Sequence, residues 1–310
     1  MFNDDRWEVR DYPRLFAARD AEKLGISRHQ LYNTPRCPIV LPGVRLDRES
    51  LEPRRTPRWA DESWERDSLR LRAARLKFSQ VFADHSTAAR IYGWPLPRKL
   101  MDDPRLRLCT SELDLRIRLP NVSVRRTRHT TATTWLDLPV LGAASTFLAV
   151  APDLTLTELV KVGDAAVGKW HGPPQMSLDD LRRLVSQRPR LRGRRRVCEA
   201  IDLIRPGVDS PRETDLRLWA MAVGLPEPTV HPKVETGWPR GEVEPDLGYE
   251  GARLALEYEG DHHRSSPEQW TRDIERDEAM RDAGWTVLKV TRKTNYRSLE
   301  AKIRQHLGLP

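Results

Sequence analysis

The sequence predicts a mixed α/β protein in which a basic N-terminal part precedes a C-terminal unit with the element order αβββαβα. Length is the first observation, because 310 residues exceed the usual size of one domain. Composition is the second: ten tryptophans and regular aliphatic clusters predict a folded chain, although 32% of the residues are charged. Patterning is the third, because helix-like and strand-like runs alternate after residue 210. We predict units at residues 1–67, 68–200 and 205–310.

The first unit has the layout of a winged helix-turn-helix. Residues 14–46 predict a short helix, a tight turn at Gly25 and a second helix started by Ser27, followed by an extended segment and another turn. The helix that would enter a DNA major groove then begins with Arg28, His29 and Gln30. The alternative is a small helical hairpin packed on the next domain.

A proline- and charge-rich segment at residues 45–67 predicts a linker. In the second unit the predicted elements are a helix that stops at Gly93, strands at 105–109 and 121–126, and helices near 140–151, 155–167 and 177–186. The arginine-rich run at residues 188–196 either contacts phosphates or is a solvated linker.

The pattern is clearest in the last unit. Its predicted elements are a helix from Ser210-Pro211 to Gly224, strands at 229–235, 242–248 and 252–259, a helix from 266 to 284, a strand at 285–291 and a helix at 298–307.

Carboxylates cluster at the end of the third of these strands. Glu257 and Glu259 are two residues apart and therefore face the same side of the strand. A tight hairpin places Asp246 across from Ala255, diagonal to Glu257, and Glu213 on the preceding helix could approach the same point. Carboxylates this close repel one another unless a cation lies among them, and such oxygen ligands favour Mg²⁺ or Mn²⁺. The alternative is that these acids only end a strand in solvent.

This constellation resembles the PD-(D/E)xK nuclease superfamily, and within it the branch of the very-short-patch-repair endonucleases. Glu244-Pro245-Asp246 and Glu257-Tyr258-Glu259 are similar to the two halves of the motif, and residues 260–263, 272–277 and 284–290 to the rest of the branch pattern. The resemblance covers roughly the last hundred residues. It implies a restriction-endonuclease-like αβββαβ core with a mixed sheet, a metal held by Asp246, Glu257 and Glu259, and assistance from Glu213.

The sequence departs from the commonest form of this motif at Glu259, where a lysine is expected. The branch usually has an acid there and a histidine four residues later, a position that His263 fills. A neutral histidine can relay a proton from water, and a protonated one can stabilise the leaving oxygen. Both roles are open for His263.

The N-terminal part resembles the winged-helix and adjoining region of AbiEi-type antitoxins, through residues 14–46 and 86–93. This diffuse similarity assigns no residue, but it implies basic N-terminal units that position DNA. Residues 1–210 carry 38 Lys and Arg against 27 Asp and Glu, a net charge of +11. Residues 211–310 carry 15 against 18, a net charge of −3. A polyanion would therefore bind mainly to the first two thirds of the chain.

The expected function is that of a metal-dependent DNA endonuclease or nickase in the cytoplasm, acting in defence against foreign DNA or in repair. Three separated cysteines predict neither a disulfide framework nor a zinc site, and no apolar run is long enough to span a membrane. The expected partners are DNA, a second copy of the chain, or a protein of toxin–antitoxin or repair type. The alternatives are a DNA-binding, antitoxin-type regulator with an inactive nuclease-like domain, and an RNA nuclease that uses the same chemistry.

Overall fold

The computed structural model describes residues 7–127, 131–237, 241–259 and 267–310. Helix makes up 42% and strand 24%, which confirms the mixed α/β class, and the described strands form four open sheets. Contacts divide the chain into unit 1, Met1–Val162 with His171–Asp202, and unit 2, Gly163–Trp170 with Leu203–Pro310. Among the described residues, no helix is both long and apolar enough to cross a membrane.

Unit 1 is built from two sheets and several short helices. Its strands are β1 (Trp7–Ala17), β2 (Ile39–Leu41), β3 (Val44–Pro57), β4 (Phe82–Ala83), β5 (Leu106–Thr110), β6 (Val122–Arg126), β7 (Ala132–Trp135) and β8 (Leu138–Leu141). Its helices are α1 (Arg28–Asn33), α2 (Glu62–Lys77), α3 (His85–Tyr92), α4 (Arg98–Met101), α5 (Ala143–Val150), α7 (Leu178–Ser186) and α8 (Arg194–Leu203). Helix α6 (Leu156–Val167) has residues in both units.

The first sheet of unit 1 is antiparallel, in the order β1-β3-β2, and the second is mixed, in the order β6-β5-β4-β8-β7. Helix α3 is buried from Ser86 to Tyr92, beside the mixed sheet. It carries Arg90, whose fully buried guanidinium lies 2.6 Å from the Asp67 carboxylate on α2. Pairing compensates for burying these two charges. The boundary predicted at residue 67 falls inside α2.

Two predictions about the first 67 residues are wrong. The helix predicted from residue 14 is replaced by the end of β1 and two 3₁₀ turns, Ala18–Asp20 and Glu22–Leu24. The linker predicted at residues 45–67 is instead strand β3 followed by the start of α2. The cause is long-range pairing, because β1 and β3 form an extended antiparallel ribbon that local propensity does not reveal.

The second half of the predicted helix-turn-helix forms as expected. Gly25 has a φ of 70°, which a residue without Cβ adopts without strain. Ser27 caps α1, since its hydroxyl accepts a hydrogen bond from the Gln30 backbone N–H. Strand β2, a turn and β3 follow, as the extended segment and turn predicted.

Unit 2 has the predicted order of helices and strands. Its helices are α9 (Pro211–Ala222), α10 (Pro267–Asp282) and α11 (Tyr296–Leu307), and its strands are β9 (Thr229–Val230), β10 (Val234–Glu235), β11 (Glu242–Val243), β12 (Leu247–Tyr249), β13 (Leu254–Glu259) and β14 (Thr286–Thr291). The strands predicted at 229–235 and 242–248 are each split in two. Pro232 and Pro245 lie at the breaks, where a residue without an N–H cannot continue a ladder.

The four-stranded sheet of unit 2 has the order β14-β13-β12-β9, with β13 and β14 parallel and the other pairs antiparallel. Alternate residues of β13 face opposite sides. Leu254 and Leu256 pack in a cluster that includes Leu216 of α9 and Ile303 of α11. Ala255 packs on the other side, with Met280 of α10.

Helix α9 is held in unit 2 by a buried polar contact. The Arg217 guanidinium lies 3.2 Å from the Asp164 carboxylate, and both side chains are completely buried. Thr214 donates a hydrogen bond of 2.8 Å to the same carboxylate. These contacts fix the helix that carries Glu213.

Candidate active site

The alternation of β13 decides where its acids point. Tyr258 packs with the leucines in the cluster beside α9 and α11. Glu257 and Glu259 are offset by one residue and therefore share the side of Ala255, which faces α10. The predicted common side for the two glutamates agrees with this geometry.

Asp246 lies beside Glu257 and not across from Ala255. The observed register pairs Leu247 with Leu256 and Gly248 with Ala255, so one more antiparallel step brings Asp246 next to Glu257. The predicted register is wrong by two residues, because the connection is longer than a tight turn. It contains a 3₁₀ turn, Glu250–Ala252, and a left-handed residue at 253.

The Asp246 carboxylate is fixed by the backbone of the neighbouring strand. Its Oδ2 accepts a hydrogen bond of 2.7 Å from the Tyr258 N–H. Burial raises the pKa of Asp246, the Tyr258 hydrogen bond opposes that rise, and the charge on Glu213 adds to it. The effect of Glu213 places a second carboxylate within electrostatic reach of Asp246.

Glu257 is a buried carboxylate beside a guanidinium. Its Oε2 accepts a hydrogen bond of 3.0 Å from Arg276 Nη1, and its Oε1 lies 2.8 Å from Arg276 Nη2. Burial raises the pKa of Glu257 to about 7; the Arg276 charge opposes the rise, whereas Asp246 and Asp277 add to it. Near neutral pH this carboxyl group therefore exchanges a proton.

Glu213 lies beside a histidine that the sequence analysis did not single out. Its Oε2 accepts a hydrogen bond of 2.9 Å from the Asp209 N–H and lies 3.3 Å from His231 Nε2. The His231 backbone N–H in turn donates to the Asp246 carbonyl oxygen, at 3.1 Å. The contact with Glu213 raises the pKa of His231 against the effect of burial, with further contributions from Asp209 and Asp246.

Glu259 contacts a lysine on the adjacent parallel strand. Lys289 Nζ lies 2.7 Å from Glu259 Oε1 and 2.5 Å from Asp277 Oδ2. Burial would lower the pKa of Lys289, but the two carboxylates outweigh it and raise that pKa. Lys289 is in register with Glu257, so the ammonium group lies on the carboxylate side of the sheet. Glu259 thus has a cation partner of its own.

Three residues around Glu257 and Glu259 were given no role by the sequence analysis: Arg276, Asp277 and Lys289. A signal for the first two exists in the spacing of α10, because Met280 packs against the sheet and lies four and three residues beyond them. Lys289 is two residues beyond Val287 and so lies on the same side of β14. What the sequence does not give is the parallel register that brings Lys289 to Glu257.

His263, the predicted proton-transfer residue, lies outside the described residues, so its position is not assigned. Within residues 7–127, 131–237, 241–259 and 267–310, no three His, Cys, Asp or Glu side chains form a ready metal-binding group. Asp246 and Glu257 nevertheless suit a divalent cation as a pair. Both have raised pKa values, and Glu257 Oε1 is a buried oxygen that forms an ion pair with Arg276 at 2.8 Å but accepts no well-directed hydrogen bond from the described part of the chain.

The predicted DNA-contacting residues of unit 1 differ in their availability. Arg28 and His29 are exposed at the start of α1. His29 Nδ1 lies 3.4 Å from the Asn33 amide, and the Arg28 side chain makes no hydrogen bond or ion pair with the described residues. Gln30 is engaged locally, since its side-chain oxygen accepts a hydrogen bond from the Ser27 N–H. Arg28 is therefore the residue of the three that is freest to meet a ligand.

Comparison with known proteins gives no family to which the chain can be assigned. No family model, no curated protein and no solved structure matches the chain significantly. The function is therefore inferred from the carboxylates of unit 2 and the cations around them.

Proposed function

We propose that the chain is a metal-dependent DNA endonuclease or nickase whose active site lies around Asp246 and Glu257, at the central strands β12 and β13 of the unit 2 sheet. The observation that carries this proposal is the pair Asp246 and Glu257, a partly buried and a buried carboxylate that lie next to each other and both have raised pKa values. Glu257 is buried and the charge on Asp246 raises its pKa further, and a bound cation would relieve the cost of ionising it. A carboxylate pair of this kind suits Mg²⁺ or Mn²⁺.

Asp246 and Glu257 would hold the metal ion. When bound, such an ion lowers the pKa of a coordinated water and offsets negative charge on the phosphate. The reaction forms a bond between water oxygen and phosphorus and breaks the bond to the leaving sugar oxygen. The water loses a proton and the leaving oxygen gains one. His263 remains the residue that we propose for these proton transfers.

The surrounding residues have supporting roles in this proposal. Arg276 balances the Glu257 charge in the metal-free protein, and its guanidinium also donates to the Glu244 carbonyl oxygen at 2.8 Å. Glu259 and Asp277 hold the Lys289 ammonium on this side of the sheet, where it would also contact a phosphate oxygen of the substrate. Glu213 assists through His231, because it favours the protonated imidazole beside the Asp246 backbone. We therefore propose that Glu259 positions Lys289 and does not bind the metal directly.

A second candidate function is favoured by one observation. Arg276 already pairs with both oxygens of Glu257, so a guanidinium occupies the place that a metal would take. A DNA-binding, antitoxin-type regulator with an inactive nuclease-like unit would be expected to retain such an internal ion pair. An RNA nuclease with the same site would differ only in its substrate.

Cleavage assays separate these candidates. The purified full-length chain is incubated with supercoiled, linear, mismatched and single-stranded DNA and with RNA, each with Mg²⁺, Mn²⁺ or EDTA. We expect cleavage of DNA only with metal, and a loss of about 10³-fold or more in Asp246→Asn and Glu257→Gln. Glu250→Gln removes an exposed carboxylate from the same hairpin and serves as the control.

Each outcome of these assays has a defined meaning. Undiminished cleavage by both site variants, or by the wild-type protein in EDTA, would contradict the metal-dependent mechanism. Binding of DNA without cleavage under any metal condition would favour the regulator. Cleavage confined to RNA would show that the chain is an RNA nuclease that uses the same site.

A further inference from the structure

Unit 1 contains a concave surface lined by arginines that the proposed reaction does not use. Two adjoining cavities of about 460 and 660 Å³ share Arg125, Ser145, Arg188, Leu191 and Arg192. The smaller cavity is also lined by Arg107 and the larger by Arg190. We call this surface the arginine groove. Among the described residues that line the two cavities there are five arginines and a single carboxylate, that of Asp84.

Two of the five arginines are neutralised by the fold itself. Arg125 on β6 donates hydrogen bonds of 2.7 and 3.0 Å to the two oxygens of Asp84. Arg107 on β5 lies 3.0 Å from the Asp103 carboxylate. These pairs fix one wall of the groove, because β5 and β6 are adjacent parallel strands. A rigid wall of oriented guanidinium groups needs little reorganisation to accept an anion.

The other wall comes from the segment between α7 and α8, and its cations are not neutralised. Arg188 is half-buried and Arg192 is exposed, and within the described residues neither side chain has an ion pair or hydrogen bond. Burial lowers the pKa of Arg188, and the charge on Arg125 lowers it further. Two guanidinium groups are thus held close enough to repel each other. An anion between them would remove that repulsion.

The chemistry of the groove points to phosphate. Guanidinium groups match the oxygens of a phosphate with paired hydrogen bonds, and Ser145 adds a hydroxyl to the same lining. Because the two cavities adjoin, the arginines lie along a continuous depression and do not close around one small anion. Such an arrangement suits consecutive phosphates of a polymer.

We propose that the arginine groove binds backbone phosphates of duplex DNA, with Arg188 and Arg192 making the contacts. The identity of the polymer rests on the proposed function, whereas phosphate binding follows from the groove itself. The sequence run 188–196 thereby acquires a role as one wall of a phosphate site, with α8 starting at Arg194 and anchoring it.

The test measures binding in EDTA, so that it is independent of cleavage. Anisotropy of a labelled short duplex is recorded over a salt series for the full-length protein and for the double variant Arg188→Gln/Arg192→Gln. We expect binding about tenfold weaker or more, and a salt dependence shallower by about two released counterions. The control is Arg182→Gln/Arg183→Gln on α7, which removes two exposed arginines paired with Asp179 and Asp180 outside the groove.

A second probe separates a polymer from a small phosphorylated ligand. Inorganic pyrophosphate is titrated calorimetrically into the same proteins. Weaker duplex binding in the groove variant, but not in the control, supports the proposal whether or not pyrophosphate binds. Loss of pyrophosphate binding with unchanged duplex binding overturns the backbone assignment in favour of a small ligand, and no change with either probe overturns the groove as a phosphate site. The exposed single variant Arg192→Gln keeps the test valid if the double variant is unstable.

Discussion

The surroundings of Glu257 determine the pH at which its carboxyl group ionises. Only 8% of it is exposed, yet it is placed between an aspartate neighbour and a guanidinium. Its pKa of about 7 lies above that of an unfolded glutamate, so the folded protein binds this proton more tightly than the unfolded chain does. The contribution of Glu257 to the free energy of unfolding is therefore greatest at acidic pH and is lost as the pH rises from the ordinary glutamate value through 7.

We predict that Glu257→Gln removes this contribution to the pH dependence of stability. A neutral amide avoids the cost of the buried charge, so the melting temperature of the variant relative to wild type should increase from pH 5 to pH 8 in EDTA. Adding Mg²⁺ at pH 8 should raise the melting temperature of the wild-type protein but not that of the variant. Differential scanning fluorimetry measures both shifts. A difference in melting temperature that stays constant with pH would contradict the assigned pKa, and equal Mg²⁺ effects would contradict the metal site.

Lys289 and Glu259 provide a second residue-scale prediction. In Glu259→Gln the ammonium is still held by Asp277, so we expect cleavage to fall by less than about tenfold, whereas Lys289→Met removes the cation and should cost more. Lys293→Met, an exposed lysine beyond the same strand, is the control. His263→Ala should lower the cleavage rate at saturating metal. A Glu259→Gln defect that is larger than the Lys289→Met defect, and that excess Mg²⁺ rescues, would return Glu259 to the role of metal ligand.

Residue-level prediction from the sequence was strongest for the acids themselves. Strand alternation places Glu257 and Glu259 on one side without any tertiary information, because the side-chain period of a strand is two. The partners Arg276 and Lys289 depend on how a helix and a parallel strand fold back over the sheet. The spacing of α10 indicates that Arg276 faces the sheet, but which acid each cation contacts becomes visible only in three dimensions.

At the scale of elements, the turn between β12 and β13 determines which residue faces Glu257. A 3₁₀ turn and one left-handed residue lengthen the connection and move Asp246 two positions from its predicted partner. The shift is even, so Asp246 stays on the predicted side of the sheet. The sequence pattern therefore predicts the correct side of the sheet for Asp246. It does not specify the turn geometry that places Asp246 next to Glu257.

Gly248 gives a prediction about the same hairpin. A Cβ at this position would lie 2.8 Å from Pro232 Cγ and 3.0 Å from the Leu254 carbonyl oxygen. We expect Gly248→Ala to lower the free energy of unfolding of unit 2 by about 1–3 kcal/mol through overpacking, and to lower cleavage because Asp246 is two residues away. Gly251→Ala is the control, since its Cβ would meet no atom within 4 Å. Equal unfolding midpoints in urea for Gly248→Ala and the wild-type protein would show that the structure accommodates the added methyl group without a loss of stability.

At the scale of the whole molecule, charge and chemistry are divided along the chain. Residues 1–210 have a net charge of +11 and residues 211–310 a net charge of −3. Composition alone reveals this division. It does not reveal the β1–β3 ribbon, whose paired residues are up to 50 positions apart at Trp7 and Pro57. Local propensity favours a helix and a linker there, and only the pairing of distant strands decides otherwise.

We predict that DNA binding by the full-length chain depends steeply on salt. If the basic first two thirds contact the backbone, counterion release should weaken duplex binding by about tenfold or more between low and physiological salt. Arg28→Gln should weaken binding further, and Lys23→Gln, an exposed lysine paired with Asp20, is the matched control. Anisotropy in EDTA measures both effects. Affinity that does not change with salt would show that phosphate contacts do not dominate binding.

The two sides of β13 also bear on how this protein can change over time. Its leucines hold the sheet to α9 and α11, whereas its acids and their cationic partners occupy the opposite side. Substitutions among the acids therefore leave the larger apolar cluster intact, and Glu257 with Arg276 can be replaced together without leaving an unpaired charge. A single-residue insertion within the strand would instead make the glutamates face the apolar cluster that its leucines now occupy. Point substitutions can therefore change the chemistry of unit 2 at little cost in stability, whereas a change in the length of β13 would bury its charged side chains and destabilise the unit.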